Sequence, residues 1–337
     1  MRPRRLAVAV VLLLLISLAA CTKQNTSGTT PANVPSGPPI AVAMVTHGQA
    51  FDPFWALVRK GAETAASQFN VKLAYQSPNT TDPQAQAKMI TQAAATKPGA
   101  MVVTIPDPAV LAGPVQQASS AGVPVVVVNV GESVYRSVGA LTYVGQVDAQ
   151  AGQEAGTAMA SAGVRKALCV VHEEQNTALT DRCAGFTRQL GMSGGSVQTV
   201  HVNGAQVHEA QSAIEQALRA DPSINGVLAT GIIGFQAVGG ALHSMNAFDR
   251  VKFGTFDVAT AILTALQNGQ LLFTVDQQPF MQGYAAVQVA AFYVRYGQRP
   301  YQPIYTGPSF ITKENAAKIA QLYKSTGIPL FQGGYPQ

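Results

Sequence analysis

From residue 40 onward, short apolar runs alternate with longer stretches in which apolar residues return every three or four positions. Residues 40–46 (Ile-Ala-Val-Ala-Met-Val-Thr) read as a strand buried on both faces. Asp52-Pro53 then opens a helix, with Asp as N-cap and Pro at the first helical position. Its apolar face runs through positions 54, 57, 58, 61, 62, 65 and 69. The same device recurs at Asp82-Pro83 and Asp107-Pro108, between predicted strands at 71–75, 100–105 and 123–130. After a short strand around Tyr143, the alternation resumes. Helices are predicted over 148–162, 179–190, 206–219, 235–245, 259–268 and 281–296, and strands over 166–171, 196–202, 226–230, 251–256 and 271–275.

Strands that alternate with helices imply right-handed crossovers and parallel sheets covered on both faces. The pattern therefore predicts two consecutive α/β lobes, each Rossmann-like. Ligands of such folds bind beyond the carboxyl ends of the strands, so the residues just after each strand are the candidates for chemistry. A further helix is expected over 313–325, packed on the second lobe.

The first 20 residues break the pattern. Arg2, Arg4 and Arg5 precede a 15-residue segment, 6–20, that is apolar except for Ser17. A basic start, an apolar stretch and small residues before the cut are the marks of a secretory leader. At ~1.5 Å per residue this segment spans about 22 Å, short of a ~30 Å hydrocarbon core. Leu18-Ala-Ala-Cys21 resembles the bacterial lipobox, which implies that Cys21 becomes a lipidated first residue. Residues 21–39 are rich in Ser, Thr, Asn, Gly and Pro, and are expected to form a flexible tether. Removing the leader takes three of the formal +5 charges and leaves +2, with no long Lys/Arg run elsewhere. That excludes a nucleic-acid binder, which needs a clustered basic face. Cys169 and Cys183 remain, either as a disulfide formed in an oxidising compartment or as two buried thiols.

Five segments carry a family resemblance: Asp52-Pro-Phe-Trp55 with Gly61-Ala62, Gly122-Val-Pro-Val-Val126, Arg182-Cys-Ala-Gly-Phe186, Gly254-Thr-Phe-Asp257, and Thr274-Val-Asp-Gln-Gln-Pro279 followed by Gly283. In their order and spacing the chain, over about residues 40–310, resembles the ribose/galactose-binding proteins that serve ABC importers. The resemblance implies the type I periplasmic binding protein fold: α/β, with two Rossmann-like lobes of parallel sheets joined by a three-strand hinge. It places the N-terminal lobe at 40–146 and 278–306 and the C-terminal lobe at 147–277 and 307–337. The same core occurs in lac-repressor-like regulators, but a leader stands here in place of a DNA-binding segment.

The resemblance also implies a site. Asp52, Phe54 and Trp55 match the polar residue and two aromatics of the first post-strand loop; aromatic faces suit sugar C–H faces. His47 follows the first strand and either reaches the cleft or is an ordinary loop histidine. Asn129 stands where relatives often have Asp-Arg, so a bidentate donor is lost; Glu132 either compensates or is solvated. Glu173 and Asn176 follow the first strand of the second lobe. Arg182 either contacts ligand or braces its helix, because the usual ligand arginine position is Thr180. Gly231-Ile232 replaces a common Asn-Asp. Phe256 is expected to stack on the ligand and Asp257 to accept its hydroxyls, unless Asp257 only caps the next helix. Gln277 matches a hinge-side glutamine that contacts ligand.

This set is neutral to acidic and favours a small, neutral, hydroxyl-rich molecule such as a pentose, hexose, polyol or inositol. The chain is expected to be a monomer without cofactor or metal, attached to the membrane only through its lipid, with an ABC permease as partner. Two alternatives stay open: a receptor for a nucleoside or signal molecule, and a sensory module. An esterase-like Gly191-Met-Ser193-Gly-Gly195 lies between a helix and a strand in the wrong order for a nucleophile elbow, which argues against an enzyme.

Overall fold

The computed structural model describes residues 37–48, 52–328, 330 and 332. The leader, Cys21 and the tether as far as residue 36 lie outside the described residues. In chain order the elements are β1 (Ile40–Val45), α1 (Pro53–Gln68), β2 (Val71–Gln76), α2 (Pro83–Ala95), β3 (Ala100–Val103), α3 (Pro108–Ser120), β4 (Val125–Asn129) and β5 (Thr142–Gln146). Then come α4 (Asp148–Ser161), β6 (Lys166–Val171), α5 (Thr177–Met192), β7 (Ser196–His201), α6 (Val207–Ala220), β8 (Gly226–Ala229), α7 (Ile232–Ser244), β9 (Lys252–Phe256) and α8 (Thr260–Gln267). The chain continues through β10 (Phe273–Asp276), α9 (Pro279–Tyr296), β11 (Ile304–Gly307), β12 (Ser309–Ile311) and α10 (Lys313–Thr326).

The Asp-Pro openings act as the sequence predicts. The Oδ1 atoms of Asp52, Asp82 and Asp107 accept the backbone N–H of Phe54, Gln84 and Ala109 at 2.9, 2.9 and 3.0 Å. Each carboxylate thus satisfies a donor that the first helical turn leaves free. β3, all apolar, and β4, apolar up to Asn129, are buried throughout, whereas β2 at a sheet edge alternates between half-buried and exposed positions.

Two sheets result, ordered β11-β5-β4-β3-β1-β2 and β12-β10-β9-β8-β6-β7. The first is parallel throughout; in the second, β12 runs antiparallel to β10. This departs from the all-parallel expectation. The chain passes from β11 to β12 through a single residue, Pro308, with no room for a helical crossover. The chain crosses between sheets three times: from β5 to α4, from β10 to α9, and from β11 to β12.

Each sheet is flanked by a helix pair in backbone contact. A Cβ on Gly61 (α1) would lie 1.9 Å from the Phe280 carbonyl oxygen, and one on Gly283 (α9) 1.9 Å from that of Val58. In the other lobe, Gly152 (α4) and Gly185 (α5) would place a Cβ 2.0 Å from the carbonyl oxygens of Arg182 and Ala149. Cys169 on β6 and Cys183 on α5 form a disulfide, with Cα atoms 5.7 Å apart. It tethers the α4/α5 pair to its sheet. No helix among the described residues is long and apolar enough to cross a membrane.

Candidate functional site

The carboxyl ends of β1, β4, β6, β8 and β9 converge on a cavity of about 40 Å³ between the two sheets. All the expected ligand-binding residues except Phe256 line it: His47, Asp52, Phe54, Trp55, Asn129, Glu173, Asn176, Arg182, Asp257 and Gln277.

On the N-terminal side, His47 is held by Thr104, which follows β3. Thr104 Oγ1 accepts the His47 backbone N–H at 3.0 Å and a Gln86 Nε2–H at 2.9 Å. Thr104 Oγ1 also lies 2.9 Å from His47 Nδ1, which ties the ring to the end of β3. Burial holds the His47 pKa down to about 3, so the ring is neutral. Its edge meets the Trp55 ring at a centroid distance of 4.7 Å, and Trp55 in turn meets Phe54 at 5.2 Å. Asp52 Oδ1 is occupied by its cap. Burial, then the charge of Asp257, pushes its carboxyl up to about 8.

Asn129 closes this half. It ends β4 in the left-handed region (φ 66°), which Asn tolerates better than most residues. Its Nδ2 donates to Gln277 Oε1 at 3.3 Å and Gln282 Oε1 at 3.1 Å. Glu132 does not compensate for the missing arginine: its carboxylate accepts the Tyr305 hydroxyl at 2.7 Å, and it is not among the cavity-lining residues.

The C-terminal side is organised by Arg182. Its Nε donates to Asp148 Oδ1 at 2.8 Å, Nη1 to the Thr230 carbonyl at 2.6 Å, and Nη2 to Gln277 Oε1 at 2.7 Å. The guanidinium lies 4.5 Å from the centre of the Phe256 ring. Arg182 is therefore a buried brace between two of the three crossings, 3% exposed, with its fork engaged by protein.

Gln277 carries the brace forward, donating Nε2–H to Asp257 Oδ1 at 2.6 Å. Asp257, like Asn129, sits at positive φ (76°) just beyond a strand. Its Oδ2 accepts the Ile232 N–H at 2.9 Å. Asp257 thus caps α7 rather than the helix that follows it, whose N-cap is Ala259. Burial raises its pKa, with the Arg182 charge opposing.

The expected stacking role of Phe256 is not met. Its side chain is fully buried in the core formed with Cys169, Phe186 and Phe273. Neighbouring residues at a strand end point to opposite faces; since Asp257 faces the cavity, Phe256 faces the core.

Asn176 and Glu173 approach His47 across the gap. Asn176 Oδ1 accepts the Ala178 N–H at 3.1 Å, and its Nδ2 donates to Glu173 Oε2 at 2.7 Å. That Nδ2 lies 3.2 Å from His47 Nε2, and Glu173 Oε2 lies 3.8 Å from it. Sequence reasoning missed His172, which lines the cavity and is buried and neutral, with a pKa held down to about 3 by desolvation. The signal was present: His172 follows β6 as His47 follows β1. Ser193, the centre of the esterase-like pentapeptide, is the C-cap of α5, and its hydroxyl donates back to the Gln189 carbonyl at 3.2 Å. Among the described residues, no group of His, Cys, Asp or Glu is arranged to hold a metal ion.

Comparison with known proteins places this geometry in a family. The periplasmic binding protein domain matches residues 42–299. The xylose/arabinose-binding protein XylF of Sulfolobus acidocaldarius is 26% identical over 299 residues, covering 84% of this chain and 73% of that protein. A carbohydrate transporter from Acidothermus cellulolyticus 11B, solved in complex with myo-inositol, is 36% identical with a TM-score of 0.80, covering 86% of this chain and 99% of that one. GanP, a glucose-galactose binding protein from Geobacillus stearothermophilus, shares the fold at 22% identity and a TM-score of 0.75, over 83% of this chain and 99% of that one. These relatives are substrate-binding proteins of sugar transport, and the chain belongs to the periplasmic binding protein family.

Proposed function

We propose that the chain is an extracytoplasmic receptor that captures a small, neutral, polyhydroxylated ring between its lobes and delivers it to an ABC importer, held at the membrane by a lipid on Cys21. One observation carries the ligand class. The cavity is lined by three carboxyl groups (Asp52, Glu173, Asp257) and three side-chain amides (Asn129, Asn176, Gln277), and its one guanidinium is engaged by Asp148, Thr230 and Gln277. Such a set offers acceptors to hydroxyls and no free cation to a phosphate or carboxylate. A cyclitol of the myo-inositol type is the foremost candidate, supported by the 36% identical relative solved with that ligand. The residues proposed to hold it are His47, Asp52, Phe54, Trp55, Asn129, Glu173, Asn176, Asp257 and Gln277, with Arg182 bracing them. Ligand that bridges both lobes stabilises the closed arrangement by its differential affinity, and the importer reads that state.

The nucleoside reading is weaker, because Phe256 does not line the cavity and, among the described residues, the second lobe contributes no Phe, Tyr or Trp to it. Trp55, the single tryptophan, reports on the site. Titration with myo-inositol, arabinose, xylose, glucose and adenosine should give a saturable fluorescence change with a cyclitol or sugar. A response to adenosine alone, or silence in both fluorescence and calorimetry, overturns the proposal.

A further inference from the structure

Gly48, between β1 and α1, lies unusually close to a side chain of the ring site. A Cβ added to it would stand 1.9 Å from both Cγ and Cδ1 of Trp55 and 2.1 Å from Nε1. We propose, building on the ring-binding function above, that Gly48 is a positioning residue for the ligand. Its bare main chain is the seat on which the Trp55 indole lies, and that seat sets where the aromatic wall of the inner cavity stands.

Geometry is the first argument. Three consecutive atoms of the five-membered ring are almost equally far from the added Cβ, so that point lies over the ring face and not beyond its edge. Carbon atoms in contact rest ~3.5–4.0 Å apart, so any side chain at 48 would displace the indole by roughly 1.5–2 Å. Trp55 lines the inner cavity of about 40 Å³, and a displacement of that size reshapes its wall.

The backbone itself does not ask for glycine. Gly48 is not among the glycines at positive φ, so alanine could adopt its conformation. The three atoms nearest to the added Cβ all belong to Trp55, so what excludes a side chain here is the indole.

Nor is the main chain free to retreat. The preceding residue, His47, donates its backbone N–H to Thr104 Oγ1 at 3.0 Å and holds Nδ1 2.9 Å from the same oxygen. Trp55, the third residue of α1, is 5% exposed, with its ring 4.7 Å from that of His47 and 5.2 Å from that of Phe54. With the loop held at His47, the strain of an added Cβ falls on the indole and its rotamer.

The test compares wild type, Gly48→Ala, Trp55→Ala and the double variant, each as the full-length chain in mild detergent. Each is titrated calorimetrically with myo-inositol, arabinose, xylose and glucose, and its melting temperature is recorded. Gly48→Ala should weaken binding of the ligand that wild type takes at least tenfold, and should shift the ligand-free emission of Trp55. Introduced into Trp55→Ala, the same change should cost less than twofold, because the atoms it collides with are gone. If Trp55→Ala binds too weakly to titrate, melting temperatures give the same cycle: Gly48→Ala should lower that of wild type and leave that of Trp55→Ala unchanged. Wild-type affinity in Gly48→Ala, or an equal loss in both backgrounds, overturns the positioning role and leaves the ring-binding function standing. Wild type that binds none of the four overturns both.

Discussion

Replacing Arg182 with methionine tests the brace. The change removes three hydrogen bonds and the contact over Phe256. Asp148 is left buried with only the Gln146 amide, 2.8 Å away. Removing one partner of a buried ion pair costs roughly 3–5 kcal/mol, because the other charge stays desolvated. At roughly 2–4 °C per kcal/mol for a chain of this class, the melting temperature should fall by about 6–20 °C. The loss should depend on pH. Burial already raises the Asp148 pKa, with Arg182 the largest opposing influence. Without Arg182 it rises further, so the native variant holds a proton that the unfolded chain releases near ~4. Variant stability then falls as pH rises through that interval, and the deficit against wild type shrinks toward acid. Thermal unfolding by circular dichroism from pH 4.5 to 8 measures this, and adding Asp148→Asn should recover much of the loss. A deficit below about 1 kcal/mol at pH 7.5, or one that does not change with pH, would refute the brace, since either lies outside the cost of a stranded buried charge.

Asp52 makes a separate pH prediction. Its pKa, raised to about 8, exceeds the unfolded value of ~3.9, so folded stability should fall between about pH 4 and pH 8. Asp52→Asn should flatten that part of the melting curve, and parallel curves for variant and wild type would remove Asp52 as its cause. Asp257→Ala should weaken ligand binding about 10- to 100-fold, from ~1.5–3 kcal/mol per charge-assisted hydrogen bond; unchanged calorimetric affinity would take Asp257 out of the site. Cys183→Ser should lower stability by about 3 kcal/mol in the chain-entropy account while binding persists, and two titratable thiols in the native exported protein would contradict the bond. Cys21→Ala should move the protein from the membrane fraction to the soluble one; continued retention would count against the lipid.

What could be read from the chain was whatever is local. Asp-Pro pairs mark helix starts because cap and first turn are adjacent in sequence, and post-strand positions point to the cleft because strand ends do. The strands β11 and β12 escaped notice: at four and three residues they carry no period, and pairing partners far away in sequence make them strands. Arg182 remained ambiguous for the same reason, since its partners stand at 148, 230 and 277. Phe256 was misassigned although the information was local. Two adjacent residues were both sent to the ligand, and strand alternation allows only one of them to face it.

The glycines seated on carbonyl oxygens bear on how closure would be felt elsewhere. Where backbone meets backbone, no side chain can re-pack, so α1 with α9 and α4 with α5 each behave as a stiff plate. Bending is then left to the three short crossings near residues 147, 278 and 308. A stiff plate transmits rotation undiminished to its far edge. A transporter resting on both lobes would register the cargo as a change of tilt between two unaltered faces, and the contacts it makes on either lobe alone would be the same with the cleft full or empty.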